Sequence, residues 1–271
     1  MGLVTEIKAS RELLLNLTKR EVKGKYKRSI IGQGWSLLNP IAQLAIFSVV
    51  FGLVLKAGPD RGDPSDLNVF ALWLGAGLLP WAFFAGSVTS GMSSIVANAG
   101  LITKVYFPRW VLVVSAVMAN LVNFSIELAV LTVAIILFGG GPLIFVPLVA
   151  VTAIVLALFA LGVAMLFAVA NVYFRDTEHL IGILMQVWFY ATPIVYPIHL
   201  VVDQMGKGSV GEFIYRLNPM ERFVEVFRNL LYDNRLPEIG DVVACLVSTA
   251  IALTLGIWLF SRKQDLFAEE L

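Results

Sequence analysis

The chain has one cysteine, Cys245, and two histidines, His179 and His199, among 271 residues. A single thiol closes no internal disulfide and supplies no metal-ligand cluster. Neither Gly-x-Ser-x-Gly nor His-Glu-x-x-His occurs, so two common hydrolase signatures are missing. There is no phosphate-binding loop either: Gly24-Lys25 runs into Tyr26 and Gly206-Lys207 into Gly208, where Ser or Thr would be needed. Charge is also scarce, at 14% against 58% hydrophobic residues, where a soluble domain carries about 25% charged residues. What remains is the composition of an integral membrane protein.

Such charge as exists is clustered. The stretch KREVKGKYKRSIIGQGWSLLNPIAQLAIFSVVFGLVLK, residues 19–56, places Lys19, Arg20, Lys23, Lys25, Lys27 and Arg28 before a run of 27 residues, 29–55, with no charge. A basic patch suits nucleic acid or an anionic membrane surface. The apolar run decides for the membrane and against nucleic acid, because about 20 residues of helix cross a hydrocarbon core. It starts too far into the chain and is too long for a signal-peptide core. Further uncharged intervals cover 67–103, 110–174 (interrupted by Glu127), 179–202 and 242–261. The Gly139 to Pro142 break, GGGP, divides the second of these. The pattern predicts an all-α integral membrane protein with six transmembrane helices, near 37–56, 68–96, 110–138, 143–171, 180–198 and 240–261.

With both ends on one side, that side holds 13 of the 20 basic residues and eight of the 19 acidic ones. The positive-inside bias then puts both termini in the cytoplasm. The expected organisation is a single permease-like domain, 1–271: a cytoplasmic amphipathic segment 1–36, spans one to five within 37–198, an extracytoplasmic segment 199–239, span six at 240–261 and a cytoplasmic tail 262–271. Within the first segment Ile7, Leu13, Leu14, Leu17 and Val22 recur at helical spacing among basic residues. That pattern fits a helix lying on anionic lipid, and equally one that also docks a cytoplasmic partner.

Polar residues at membrane depth are few. Asn120, Asn123 and Glu127 share a helix face, the pattern of a hydrogen-bonded seam between helices, and one carboxylate is thin support for a proton relay. A Thr-Val-Gly-Tyr-Gly filter is missing and no span carries an acidic ring, so a channel is disfavoured. An energised transporter fits better, and if ATP drives it, the ATPase is another polypeptide.

Six stretches in order, KGKYKRSIIGQGWSLLNP (23–40), LLPWAFF (78–84), KVYFPR (104–109), NVYFRD (171–176), ATPIVYP (191–197) and LNPM (217–220), resemble the membrane subunits of polysaccharide-exporting ABC transporters, the type 2 permeases that move O-antigen, capsule, teichoic acid or galactan. The resemblance implies a transport subunit, not an enzyme, in the cytoplasmic (inner) membrane of a bacterium. It implies a homodimer with two copies of a P-loop ATPase subunit, so that ATP and magnesium sit on the partner and no cofactor on this chain. The cargo would be a lipid-linked polysaccharide or polyol-phosphate polymer. A drug or haem exporter of the same fold is the alternative, and outside transport a membrane enzyme without a recognised site.

Sugars suit neutral hydrogen-bonding groups and flat aromatic faces. Gln43, Phe47 and Phe51 fall on one face of the first span, and Gln186 and Tyr190 on one face of the fifth, with Trp188, Phe189 and Tyr196 near them. These aromatics fit a channel lining or ordinary packing at the interface; the resemblance favours the lining, since in that family the first and fifth spans form it. It also implies an interface helix near 9–24 and a coupling helix near 98–107, whose Lys104, Val105, Tyr106 and Phe107 would face the ATPase ahead of Pro108. Arg175 and Asp176, at the cytoplasmic end of span four, are expected to bond to neighbours, either as a purely structural pair or as part of the coupling to the ATPase. In 199–239, Asn218 reads as an N-cap followed by Pro219, Met220 and Glu221. The stripe Met220, Phe223, Val224, Phe227 and Leu231 leaves Glu221, Glu225 and Arg228 for the wetter side. With a shorter helix at 211–217, this would make either a re-entrant helical hairpin between spans five and six, the position of gate helices in the resembling family, or a helix resting on the membrane surface.

Overall fold

The computed structural model describes residues 3–24, 32–54, 61–105, 107–174, 176–198, 201, 206 and 209–270. Among them there is no strand. Four helices are long and apolar enough to cross a membrane: α3 (Phe70–Ala97), α5 (Trp110–Leu137), α6 (Val146–Tyr173, preceded by a 3-10 turn, Pro142–Phe145) and α10 (Ile239–Lys263). In α3, 78% of the apolar stretch is buried, against 28%, 33% and 22% in α5, α6 and α10. α3 is therefore the post around which the others pack, and their outer faces, with Val122, Ile126, Val133, Val151, Ile154 and Ile251 exposed, suit lipid.

α6 and α10 approach at backbone distance. A Cβ on Gly162 would stand 2.4 Å from the Ala252 carbonyl carbon, and one on Gly256 would stand 2.4 Å from the Gly162 oxygen. Ala252 and Gly256 are one helical turn apart, the small-residue spacing that lets membrane helices gain dispersion contacts where no hydrophobic drive exists between them. The turn between α5 and α6 is made by Gly139 in the left-handed region, φ +94°, with Pro142 starting the next helix. The expected break is there, and α6 begins three residues later than predicted.

The other two expected spans are not among these four. α2 (Trp35–Phe47) continues as a π-helical turn, Ser48–Val54, and α7 (Thr177–Tyr190) is only 14 residues long. The prediction carried α7 to residue 198; instead the chain turns through 191–196. Pro193 disfavours helical backbone at Thr192 and supplies no N–H itself, so the helix stops although its apolar character continues.

The chain's ends and short connections separate into two groups. At one end of the bundle lie α1 (Leu3–Gly24), α4 (Ala99–Ile102) with the turn after it, the start of α7, and α11 (Phe267–Glu270). Here Arg20 donates to Asn98 Oδ1 at 2.7 Å, and α1 packs along α5 with Leu17 and Thr18 buried. At the other end lie 61–69, the 138–145 turn, α8 (Val210–Arg216) and α9 (Pro219–Arg228), which continues as a π turn, Asn229–Asp233. The Tyr232 hydroxyl donates to Leu67 O at 2.7 Å and closes that end.

Candidate functional site

A groove of about 380 Å³ runs between α2, α3 and α7, lined by Gln43, Phe47, Leu78, Trp81, Ala82, Ala85, Met185, Gln186, Phe189 and Tyr190. Five of the eight residues expected to line a passage meet here from segments about 140 residues apart. Phe47 and Phe189 stack with centroids 6.3 Å apart, and Trp81 forms the floor, 5.8 Å from Phe189 and 6.2 Å from Trp188. Gln43, Gln186 and Tyr190 are exposed to the groove side. None of the described lining residues is a carboxylate, ammonium or guanidinium. Such a surface offers amide hydrogen bonds and aromatic faces without a fixed charge to hold a mobile ligand.

The remaining three take other positions. Phe51 lies in the π turn, and its side chain is outside the described residues. Trp188 turns inward: its ring meets Phe84 edge-on at 5.2 Å, and Nε1 donates to Asn218 Oδ1 at 2.8 Å. Tyr196 donates to Tyr190 O at 2.6 Å and lies 3.1 Å from the Tyr215 hydroxyl, joining the turn after α7 to α8. Burial pushes the Tyr215 phenol upward, so it stays protonated and hydrogen-bonding.

Beyond the groove, the broken end of α7 is held by α9. Asn218 caps α9, its Oδ1 accepting from Met220 N at 3.0 Å. The same side chain donates from Nδ2 to Ala191 O at 3.1 Å and to Thr192 Oγ1 at 3.0 Å. The Arg228 guanidinium, fully buried, donates from Nη1 to Pro193 O at 2.7 Å and from Nη2 to Ile194 O at 2.8 Å, and stacks 3.7 Å over the Trp73 ring. Burial lowers its pKa to about 10, leaving it charged at neutral pH. Two carbonyls freed where α7 stops thus find donors inside the protein.

The stripe on α9 is where the spacing put it. Met220, Phe223, Val224, Phe227 and Leu231 are all buried, Phe223 against Phe159 and Phe227 against Phe124; Pro219 is half-buried at the first turn. Two residues assigned to the wetter side are instead inside: Glu221 is 1% and Arg228 4% exposed. Glu221 lies 3.0 Å from Arg222 Nε, and Arg222 also bonds Asp241 at the start of α10. Burial, strengthened by Asp241 and Glu225 and opposed by Arg222 and Arg216, pushes the Glu221 carboxyl up to about 7.

At the other end, the segment expected as a coupling helix is helical only over Ala99–Ile102. Lys104 and Val105 are exposed in the turn that follows, Phe107 is half-buried, and Tyr106 lies outside the described residues. Pro108 disfavours helical backbone at Phe107. Asp176 is exposed at the N-terminus of α7, while Arg175 lies outside the described residues. Of the expected polar seam, Asn120 bridges two helices: its Nδ2 donates to Ser90 Oγ at 2.7 Å, joining α5 to α3. Trp81 and Arg228 were missed as functional residues. Trp81 stood within the LLPWAFF stretch, and Arg228 stands four residues after Val224, at the border of the apolar stripe.

Comparison with known proteins gives a match to the family model "ABC-2 type transporter" over residues 12–232. The chain is similar to an "O-antigen export system permease protein RfbA" of Myxococcus xanthus, 32% identical over 269 residues that make up 99% of each chain. It is similar to a protein of that name from Klebsiella pneumoniae, 29% identical over 95% of this chain and 94% of the other. It is also similar to a "Polysialic acid transport protein KpsM" of Escherichia coli, 22% identical over 91% of each.

Proposed function

The chain belongs to the ABC-2 type transporter family, and from that premise we propose that it is the transmembrane subunit of an exporter that carries a lipid-linked polysaccharide across a bacterial inner membrane. Permease subunits of this family work with an ATPase on a separate polypeptide, which accords with a sequence lacking a phosphate-binding loop. The relatives' names point to O-antigen or polysialic acid as the class of cargo. The observation that carries the reading is the uncharged groove in which Gln43, Phe47, Gln186, Phe189 and Tyr190 meet Trp81.

In this reading α2 with its π turn and α7 complete six crossings, α8 and α9 form the re-entrant hairpin, and both termini face the cytoplasm. Two copies associate and two ATPase subunits dock on the end that carries 104–107, with α1 as the interface helix. Met220, Phe223 and Phe227 serve the hairpin as the anchor that holds it in the bundle, because all three are fully buried. Opening the far end by exposing Phe223 or Phe227 would tear out core contacts. Movement of α9 together with the end of α7, to which Asn218 and Arg228 bond it, avoids that cost.

Exchanging Phe189 and Gln186 together for alanine, in cells that display a surface glycan through this permease, is expected to lower export about tenfold, as would follow from losing roughly 1.4 kcal/mol of contact. Membrane insertion and ATPase association, read by co-purification, should be unchanged. Introducing Gln186→Lys should slow a phosphate-bearing polymer and affect a neutral one less. Normal export by the double alanine variant would overturn the groove as the path.

A further inference from the structure

At the end of the bundle where the ATPase is proposed to dock, segment 98–109 is fastened on two sides. At its start Arg20 of α1 donates to Asn98 Oδ1 at 2.7 Å, and Asn98 Nδ2 donates back to Ser94 O at 2.8 Å. At its other end Arg109 is turned inward, its side chain 15% exposed. Its Nη1 donates to the Gln264 backbone oxygen and lies 3.7 Å from Asp265 Oδ1. Gln264–Leu266 is a 3-10 turn that bends the chain beyond α10. Phe267, fully buried, holds the bend by packing edge-on against Phe260 at 5.4 Å. The residues after α10 are thus a docked element.

The covalent chain joins segment 98–109 to α3 and α5 only. A displacement of its tip tilts those two helices directly, whereas α10 and α6 respond only through a non-covalent contact. Arg109 supplies one. Its Nη1 donates to the Gln264 carbonyl, while the exposed Asp265 carboxylate stands 3.7 Å from the same nitrogen and adds attraction without a hydrogen bond, a contact that an ammonium reproduces in part. From α10 the contact continues to α6, whose backbone it meets at Gly162 and Gly256.

We propose that Arg109 is a positioning residue that joins the ATPase-facing segment to α10 through the C-terminal turn, so that α10 receives the ATPase's movement directly and not only through α6, which packs on α3. The inference rests on the reading of 104–107 as the ATPase-facing segment. A purely structural role exists for comparison: a cation beside the last carbonyls of α10 steadies a helix end.

The permease is purified with its ATPase from cells expressing Arg109→Ala, Arg109→Lys, a chain ending at Lys263, and the first and third changes combined. ATPase association, ATP hydrolysis and export of the cell's surface glycan are measured for each. Arg109→Ala should keep association and hydrolysis while export per molecule falls about tenfold, within the usual range of coupling between sites. Arg109→Lys should restore at least part of it. The truncated chain should match Arg109→Ala, and the combination should be no worse than either, because both changes break one joint. Normal export by Arg109→Ala, additive defects in the combination, or a loss explained wholly by lower permease levels would each overturn the inference. Phe107→Ala separates it from its premise. If Phe107→Ala and Arg109→Ala both export normally, the ATPase-facing reading falls; if only Phe107→Ala uncouples, the joint alone falls.

Discussion

Arg228 carries more consequence than any other single side chain described above. It is a buried cation whose two primary nitrogens satisfy the Pro193 and Ile194 carbonyls while its face covers Trp73. Removing it leaves both carbonyls without those donors, and such losses cost about 1–3 kcal/mol for each group. Arg228→Ala is therefore expected to destabilise the protein by about 2–6 kcal/mol, read as a lowered thermal midpoint in detergent. Arg228→Lys should fall between, since an ammonium replaces the charge but not the fork or the stack. An unchanged midpoint in the alanine variant would contradict this account. The sequence placed Arg228 on the wet face because helical wheels send charges outward, yet its spacing from Val224 set it at the edge of the stripe. The partner ring, 155 residues earlier in the chain, left no local signal. Asn218 divides the same way: its cap was legible from Asn-Pro, whereas its bonds to Ala191 and Thr192 depend on the tertiary arrangement.

Apolar runs and the GGGP break located the long helices to within a few residues, because length and lipid exposure dominate the pattern there. The fifth helix was misjudged at its C-terminus, where hydropathy continues but backbone chemistry does not: Pro193 and Pro197 end what apolar character alone would extend. Helix pairing was not legible, since it depends on which small residues meet. Gly162 and Gly256 bring α6 and α10 together so closely that an added methyl has no space. Gly162→Ala should cost about 1–3 kcal/mol through overpacking, despite alanine's better helix propensity. Thermal unfolding of the purified variant measures this, and a gain in stability would show that the helices can separate at no cost.

The molecule keeps opposite ends for different kinds of contact. Charge asymmetry made that division visible in sequence; helical spacing singled out Gln43, Phe47, Gln186 and Tyr190 with Phe189 beside them, and the family resemblance favoured them as a lining. Spacing could not show Trp81 or Ala82, which come from the central, most buried helix. At the end remote from the termini, Glu221 and Arg222 tie α9 to Asp241 of α10, with Arg216 and Glu225 near them. Because burial raises the Glu221 carboxyl from its ordinary 4.5 to about 7, the folded form holds its proton more tightly than the unfolded chain does. Stability should be greatest below about pH 4.5, fall as pH rises towards 7 and level off beyond it, as far as this group governs it. Glu221→Gln should flatten that slope in melting curves taken between pH 5 and 8; a slope unchanged in Gln would assign it to another group. The same end is shaped by the shortness of α7. Its 14 residues rise about 21 Å, against a hydrocarbon thickness of about 30 Å. Where α7 serves as a crossing, as proposed above, lipid beside it thins, or water descends, by roughly the missing third. A hydroxylated polymer that took the groove as its path, as proposed above, would regain its hydration at that depth, before it had travelled the full width of the bilayer, so that the dry part of such a journey would be shorter than the membrane.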